Sequence, residues 1–408
     1  MARGGGTNGW SDIQRELLEE ILRKLTLVDF LKCRRVCRSW RRTVDDAVAT
    51  KGTCPHASQF PFLMLLPSNL FINKPATFSA TLSDITQEED TSYTIPTQKC
   101  NFDFDVFRVL SVQGWLVFQK IYCNKNQNHA LLLLFSNPVS GEEFELPHLP
   151  LFSGQDLSPV HTSVKLVFSS APPYSSDFLV VACVTVTFQL RGEGGYRWMQ
   201  QLAFCKVTDK SWTLIPIPTD DESPPFPFHE FAVLDWKLYA MNMFLSQSGS
   251  VTVFNLRDST FVKLEQEPIQ KQGGAFVEGM DWSEFIVNTE TCMLTRDGDH
   301  EILLVLHRKR SNETIGFRVF KLENMGDTRT RWIEVGDLGD RVLLMDYTGI
   351  QVISIKEINL PEKLNGGNCV FFCITKVDLG VFFFKDKRIT RSLQVGGSRF
   401  LWFMPSLW

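Results

Sequence analysis

Tyrosine is scarce in this 408-residue chain, 6 against 33 phenylalanines, and no apolar run is long enough to cross a bilayer. The longest, FLVVACVTVTF at 178–188 and ALLLLF at 130–135, fall well short of the ~18 residues a membrane helix needs, so no membrane partner is expected. The opening nine residues hold glycine and no apolar stretch; they read as a disordered start, and no secretory leader is expected there. Without export, the ten scattered cysteines read as reduced thiols, which places the protein in the nucleus or cytoplasm. Charge of one sign is also lacking: the net value is −4, which points to no nucleic-acid partner.

Signatures of chemistry are equally thin. The seven histidines (His56, His129, His148, His161, His229, His300 and His307) are dispersed and form neither HExxH nor a zinc spacing. His300 and His307 read as flanking a strand. RGEGGYR at 191–197 has glycines but lacks the order of a phosphate loop, so it reads as a hairpin turn. TRDGDHE gathers Asp297, Asp299 and Glu301, yet Asp-Gly between apolar strands is first a turn signal, and calcium-loop spacing is absent. HRKR at 307–310 reads as a solvated loop, and Cys369 and Cys373 of CVFFC as one packed strand face. No catalytic residue, cofactor or metal is expected, and the chain is read as a non-enzyme.

What is present begins with WSDIQRELLEEILRKLTLVDFLKCRRVCRSW, residues 10–40. Leu17, Leu18, Ile21, Leu22 and Leu25 make one helical stripe, with Glu19–Arg23 and Glu20–Lys24 on the other face in the favourable acid-first order. Thr26 and Asp29 match a capping box for a second helix, whose apolar set is Phe30, Cys33, Val36, Cys37 and Trp40; Ser39 is placed to break and recap it. Cys33 and Cys37 stand one turn apart with no second ligand pair, and read as core or interface thiols. Three short helices in about forty residues make only a minimal core, so this module is expected to bury a face against another protein.

The stretch ELLEEILRKL…DFLKCRRVCRSWR resembles an F-box, with Val36-Cys37-Arg38 and Trp40 its most specific part. That resemblance implies docking onto a Skp-type adaptor and, through it, a cullin-RING ubiquitin ligase. By position, the adaptor-facing residues would be Ile13, Leu17, Leu18, Ile21, Leu22, Val36, Cys37 and Trp40. One departure is visible: F-boxes usually begin Leu-Pro, where this chain has Ile13-Gln14. In the family that proline presets the first helical turn and touches the adaptor, so its loss can weaken docking without abolishing it.

Past residue 50 the periodicity changes. FPFLMLLP, DVFRVLSVQGWLVFQ, VKLVFSS, EFAVLDWKLYAM, HEILLVLHR and NCVFFCIT read as strands between Gly, Pro, Asn, Asp or Ser. A loose unit recurs in LLLLFSNPVSGEEFELP, QLAFCKVTDKSWTLIP, SVTVFNLRDSTFVKLE and GFRVFKLENMGDTRTRWIEV, anchored by Phe135, Phe204, Phe254 and Phe320 at irregular spacing. Four-stranded propeller blades take roughly 40–50 residues, so six to eight blades are expected. The phenylalanine surplus suits sheets packed face to face, since Phe brings area without a hydroxyl to satisfy.

These segments, with the closing LWFMPSLW, look like the kelch-like propeller domain that follows the F-box in a large plant family. The expected architecture is therefore mainly β: a disordered start at 1–9, a three-helix F-box at 10–50, a linker at 51–59 and a propeller at 60–408. The resemblance implies the substrate receptor of an SCF-type ubiquitin ligase, its propeller recruiting an unidentified target protein. The alternative is a non-ligase propeller binding module with a weakened F-box.

Overall fold

The structure, a computed structural model, describes residues 9–25, 27–50, 62–66, 79–83, 92–96, 108–123, 129–138, 140–151, 159–169, 173, 175–189, 196–217, 228–241, 251–271, 291–297, 301–310, 313–326, 328–357, 367–375, 378–391 and 399–404. The linker expected at 51–59, Asp299, His300, the tip of RGEGGYR and all of SPPFPF but Phe228 lie outside the described residues.

The N-terminal module is a 3-10 turn, Trp10–Asp12, followed by α1 (Arg15–Lys24), α2 (Leu27–Cys33) and α3 (Arg38–Thr50). Leu18 and Leu22 from the predicted stripe close on Phe30, Cys33, Trp40, Val44 and Ala47 as a small core. Helix α1 carries Glu16 in its first turn and Arg23 and Lys24 in its last, each sign at the end the helix dipole favours. The break between α2 and α3 falls at 34–37, ahead of Ser39. Its cause is Cys37, whose Sγ accepts the Trp40 N–H at 3.5 Å and caps α3. The ion pairs also differ from expectation: Glu19 takes Arg15 (2.9 Å), Glu20 takes Arg23 (3.1 Å), and Arg15 reaches Asp46 on α3 (3.1 Å).

The remainder is built of antiparallel meanders. The first sheet holds β1 (Phe62–Leu66), β2 (Ser79–Ser83) and β3 (Ser92–Pro96); the second β4 (Arg108–Val112), β5 (Trp115–Cys123), β6 (His129–Ser136), β7 (Glu143–Glu145) and the short β8 (Leu149–Pro150). The third runs β9 (Pro159–Phe168), β10 (Leu179–Gln189), β11 (Tyr196–Lys206) and β12 (Thr213–Ile215). Next come β13 (Glu230–Leu234), β14 (Lys237–Met241), β15 (Val251–Asn255) and β16 (Phe261–Lys271), then β17 (Thr291–Asp297), β18 (Glu301–Arg310), β19 (Glu313–Asn324) and β20 (Arg329–Val335). The last sheet is β21 (Arg341–Asp346), β22 (Ile350–Ser354), β23 (Cys369–Thr375), β24 (Asp378–Phe383) and β25 (Ile389–Arg391).

Five sheets are formed by the described residues, where six to eight blades were expected. The shortfall has a physical origin: β16 runs on past its own meander and pairs in parallel with β20, starting at Glu265 opposite Arg329, so two meanders share one eight-stranded ladder. Two segments read as single strands prove to be hairpins. Gln113 and Gly114 turn β4 into β5 with φ of 46° and 84°, and Asp235 and Trp236 turn β13 into β14 with φ of 45° and 60°. Both are two-residue turns with positive φ throughout, which suit the right-handed strand twist. Only the first carries glycine, so the second had almost no signal in the sequence.

The recurring phenylalanines have one structural role. Phe135, Phe204, Phe254 and Phe320 are buried on β6, β11, β15 and β19, each the third strand of its meander. Successive residues of a strand serve opposite interfaces. On β10, Val180, Ala182, Val184 and Val186 pack with the second sheet, while Leu179, Val181 and Cys183 pack with β13 to β15. The same alternation links the two halves of the double sheet, the second half with the last sheet, and the last sheet with the first.

The final strand, β26 (Arg399–Phe403), pairs antiparallel with β1 in the register Phe62 opposite Phe403, so strands from the two ends of the propeller share one sheet. Trp402 anchors this closure: its indole N–H donates to Met345 O and its backbone N–H to Asp346 Oδ2, both at 2.9 Å. Replacing Trp402 with Ala should cost about 3–5 kcal/mol, as for other buried aromatics, measured by denaturant unfolding. A loss below about 1 kcal/mol would mean that ring closure does not rest on this side chain.

Candidate docking surface and the polar seams of the propeller

The eight residues placed on the adaptor face by sequence fall into three groups. Leu18, Leu22 and Trp40 are buried in the module's own core. Ile13, Ile21 and Cys37 are half-buried, with Ile13 and Cys37 packed against that core. Leu17 and Val36 stand clear, 55% and 56% exposed. The helical period explains the division, because a stripe two residues wide on α1 sends its Leu18–Leu22 edge inward and its Leu17 edge outward. The first group can therefore shape a docking face from beneath, and the last can touch a partner directly.

Sequence reading left out one residue of this module. Trp10 is 71% exposed, its ring meets Trp40 edge-on at 6.5 Å, and its carbonyl accepts the Trp40 indole N–H at 2.8 Å. It lies ahead of the apolar stripe, where helical periodicity carries no information.

The propeller brings together polar groups that lie far apart in sequence. Lys165 on β9 reaches Glu230 on β13 at 2.5 Å, and the other Glu230 oxygen accepts the Leu294 N–H of β17 at 3.0 Å. Burial pushes the Glu230 carboxyl up, opposed by the ammonium of Lys165. Arg108 on β4 donates to Val164 O (3.4 Å) and Tyr347 O (2.9 Å), and the Tyr347 hydroxyl returns to Val109 O (3.0 Å). Asp346 accepts from Thr348 and Gly349 in its own turn and from Trp402 of the closing strand. Of these, the bonds from β4 to β9, from β9 to β13 and from β13 to β17 tie successive meanders together along their first strands.

A second cluster contains His307, which lies inside β18 and not beside it, with the rest of HRKR continuing the strand where a loop was expected. Its Nε2 meets Thr314 Oγ1 at 2.7 Å, and the Thr314 hydroxyl and backbone N–H donate to Asp378 Oδ2 and Oδ1 at 2.7 and 3.1 Å. All three residues are fully buried. The order is that of a brace and not of a nucleophilic triad: the hydroxyl sits between imidazole and carboxylate and gives its proton to the carboxylate, so the imidazole has none to accept. Asp297 and Glu301, read from sequence as flanking a turn and not as a calcium loop, both engage Arg341, and Glu301 also takes Lys321 at 2.7 Å. They face each other across the β17–β18 hairpin, as the turn reading requires. Cys369, Phe371 and Cys373 share one buried strand face. Among the described residues no three His, Cys, Asp or Glu side chains are placed to hold a metal ion, and no helix is long and apolar enough to cross a membrane.

A helical plug with an exposed apolar edge, joined to a propeller whose charged clusters are spent on internal ties, defines an F-box protein with a propeller domain. The F-box domain model matches residues 10–48 and the KIB1-4 beta-propeller model residues 80–393. The chain belongs to the KIB1-4 beta-propeller family, in place of the kelch-like domain its repeats resemble, and is a plant F-box protein. F-box protein At2g05970 of Arabidopsis thaliana is 23% identical over 85% of this chain and 81% of its own length. A second Arabidopsis thaliana F-box protein, At4g22660, is 25% identical over 95% of this chain and 93% of its own. Among solved structures YjhT aligns over 57% of this chain and 66% of its own at 11% identity, with a TM-score of 0.27, too low to argue from.

Burial holds the His307 imidazole neutral, its pKa lowered from 6.5 to about 3. In the unfolded chain the ring takes a proton below about pH 6.5, whereas in the folded chain it does so only near 3. This contribution to stability is thus whole above pH 6.5 and is lost as pH falls, by about 2 kcal/mol at pH 5. Unfolding free energies between pH 7.5 and 5 should fall less steeply in His307→Gln than in the wild type; parallel slopes would show that the ring is not held neutral.

Proposed function

We propose that this protein is the substrate receptor of an SCF-type ubiquitin ligase, its F-box docking on a Skp-type adaptor and its propeller recruiting a target protein. The observation that carries this reading is the pair Leu17 and Val36, two large apolar side chains left in solvent by a module whose own core is already filled. A module of about forty residues with so small a core gains stability by burying such a face against a partner. An F-box implies an adaptor of the Skp type as that partner.

The mechanism is proximity. One surface holds the ligase and another the target, which raises the effective concentration of target lysines at the charged ubiquitin carrier while other subunits perform the transfer. The buried clusters of the propeller fit this non-catalytic role, since Lys165 is engaged with Glu230 and the Thr314 hydroxyl gives its proton to Asp378 and not to His307. The two halves of the double sheet each have the strand order of one blade, and we read them as two, which makes a ring of six. The compartment that suits free thiols such as Cys33, Cys183 and Cys369 is the nucleus or cytoplasm.

The test is co-expression with a Skp-type adaptor. The wild type should co-purify with it, and a Leu17→Asp, Val36→Asp double variant should lose it, because charge in a desolvated interface is left unpaired. Both positions are exposed in the free chain, so its stability should change by no more than about 0.5 kcal/mol per site. Failure of folded wild-type protein to bind any adaptor would refute the receptor reading.

A further inference from the structure

Residue 14 poses a question of its own, because a glutamine occupies the position that starts α1. Gln14 has φ −59° and ψ 141°, and no side-chain hydrogen bond caps the helix. Its carbonyl already accepts the first helical bond, from Leu18 N–H at 3.0 Å. That φ is the value a proline ring would impose, and Ile13, at φ −61° and ψ 136°, sits in the extended region demanded of a residue before proline. The backbone is therefore held in a proline-like geometry by something other than a proline ring or a cap.

Among the described residues, Trp10 ties the preceding turn across the module, and Ile13 beside it packs against the same core. The Trp10 carbonyl binds the buried Trp40 indole, and the Trp10 ring closes edge-on against the same indole. Trp40 in turn is fixed through its backbone N–H to Cys37 Sγ and by the core around it. The turn Trp10–Asp12 is thus clamped to the start of α3, and only Ile13 and Gln14 separate it from α1.

We propose that Trp10 is a positioning residue for adaptor docking: the Trp10–Trp40 clasp sets the start of α1, and with it the direction of Leu17, doing the work that a proline at position 14 would do. This inference rests on the docking reading above but makes a separate claim. The clasp acts by restricting backbone freedom, so it can be replaced by any other device that restricts the same dihedral angles. A contact made by the Trp10 ring on the adaptor could not be replaced in that way.

The experiment measures adaptor affinity by calorimetry with the full chain, for the wild type, Leu17→Asp, Trp10→Ala, Gln14→Pro and the Trp10→Ala, Gln14→Pro pair. Trp10→Ala should weaken binding about tenfold, consistent with losing one aromatic pair and the order it brings. Gln14→Pro alone should change little, since its φ is already satisfied and its N–H donates to no group among the described residues. In the pair, Gln14→Pro should restore most of the lost affinity. Trp40→Phe, which keeps a ring but removes the donor to the Trp10 carbonyl, should weaken binding and be rescued likewise, and covers the case in which Trp10→Ala loses its helical circular dichroism.

Wild-type binding that Leu17→Asp abolishes but Trp10→Ala leaves intact overturns this proposal and spares the docking reading. Weakened binding without rescue overturns it in favour of direct contact by the indole. No binding by the wild type removes both.

Discussion

Each sheet of this propeller is apolar on both faces, and that single constraint organises the molecule. A strand such as β10 sends alternate side chains into two different cores, so no sheet can be stable with only one neighbour. A row of such sheets would end in two exposed apolar faces. Bending the row into a ring removes both, and the pairing of β26 with β1 makes the join with backbone hydrogen bonds as well as side chains. The same constraint suits the unusual balance of phenylalanine over tyrosine, because a phenyl ring buried between two sheets brings area with no hydroxyl to satisfy.

Some of the polar groups that enter these interfaces are paired across them. Lys165, Glu230 and the Leu294 N–H join three successive meanders, and His307, Thr314 and Asp378 join the double sheet to the last one. Apolar packing tolerates sliding more readily than a set of hydrogen bonds with fixed directions, so such ties choose one arrangement among several of similar apolar area. Their cost is that a lost partner leaves a buried charge or donor unsatisfied. These clusters look like catalytic machinery when their residue types alone are considered, and their internal order argues for bracing.

The helical module solves a different problem with the same physics. Its core of Leu18, Leu22, Phe30, Cys33, Trp40, Val44 and Ala47 uses one edge of the apolar stripe, and the other edge, at Leu17, stays exposed. The minimal size of the module makes this division informative, since a forty-residue unit gains from every apolar side chain it can bury. Charged residues along the helices pair with each other at the surface, where water and salt screen them, and add little.

Much of this was legible from residues alone. Helical spacing in 10–50 and the third-strand phenylalanines Phe135, Phe204, Phe254 and Phe320 are local patterns, and local patterns survive into the fold because they arise from the geometry of one element. The hairpin at Asp235-Trp236 was hidden because its positive φ is imposed by the strands on either side and not by a glycine. The F-box module and the all-β character of the larger domain were thus determined by the sequence through periodicity. The direction of Leu18 against Leu17, the fusion of two meanders through β16 and β20, and the meeting of His307 with Thr314 and Asp378 were decided by the tertiary structure, because each depends on which element lies opposite, and no single element carries that information.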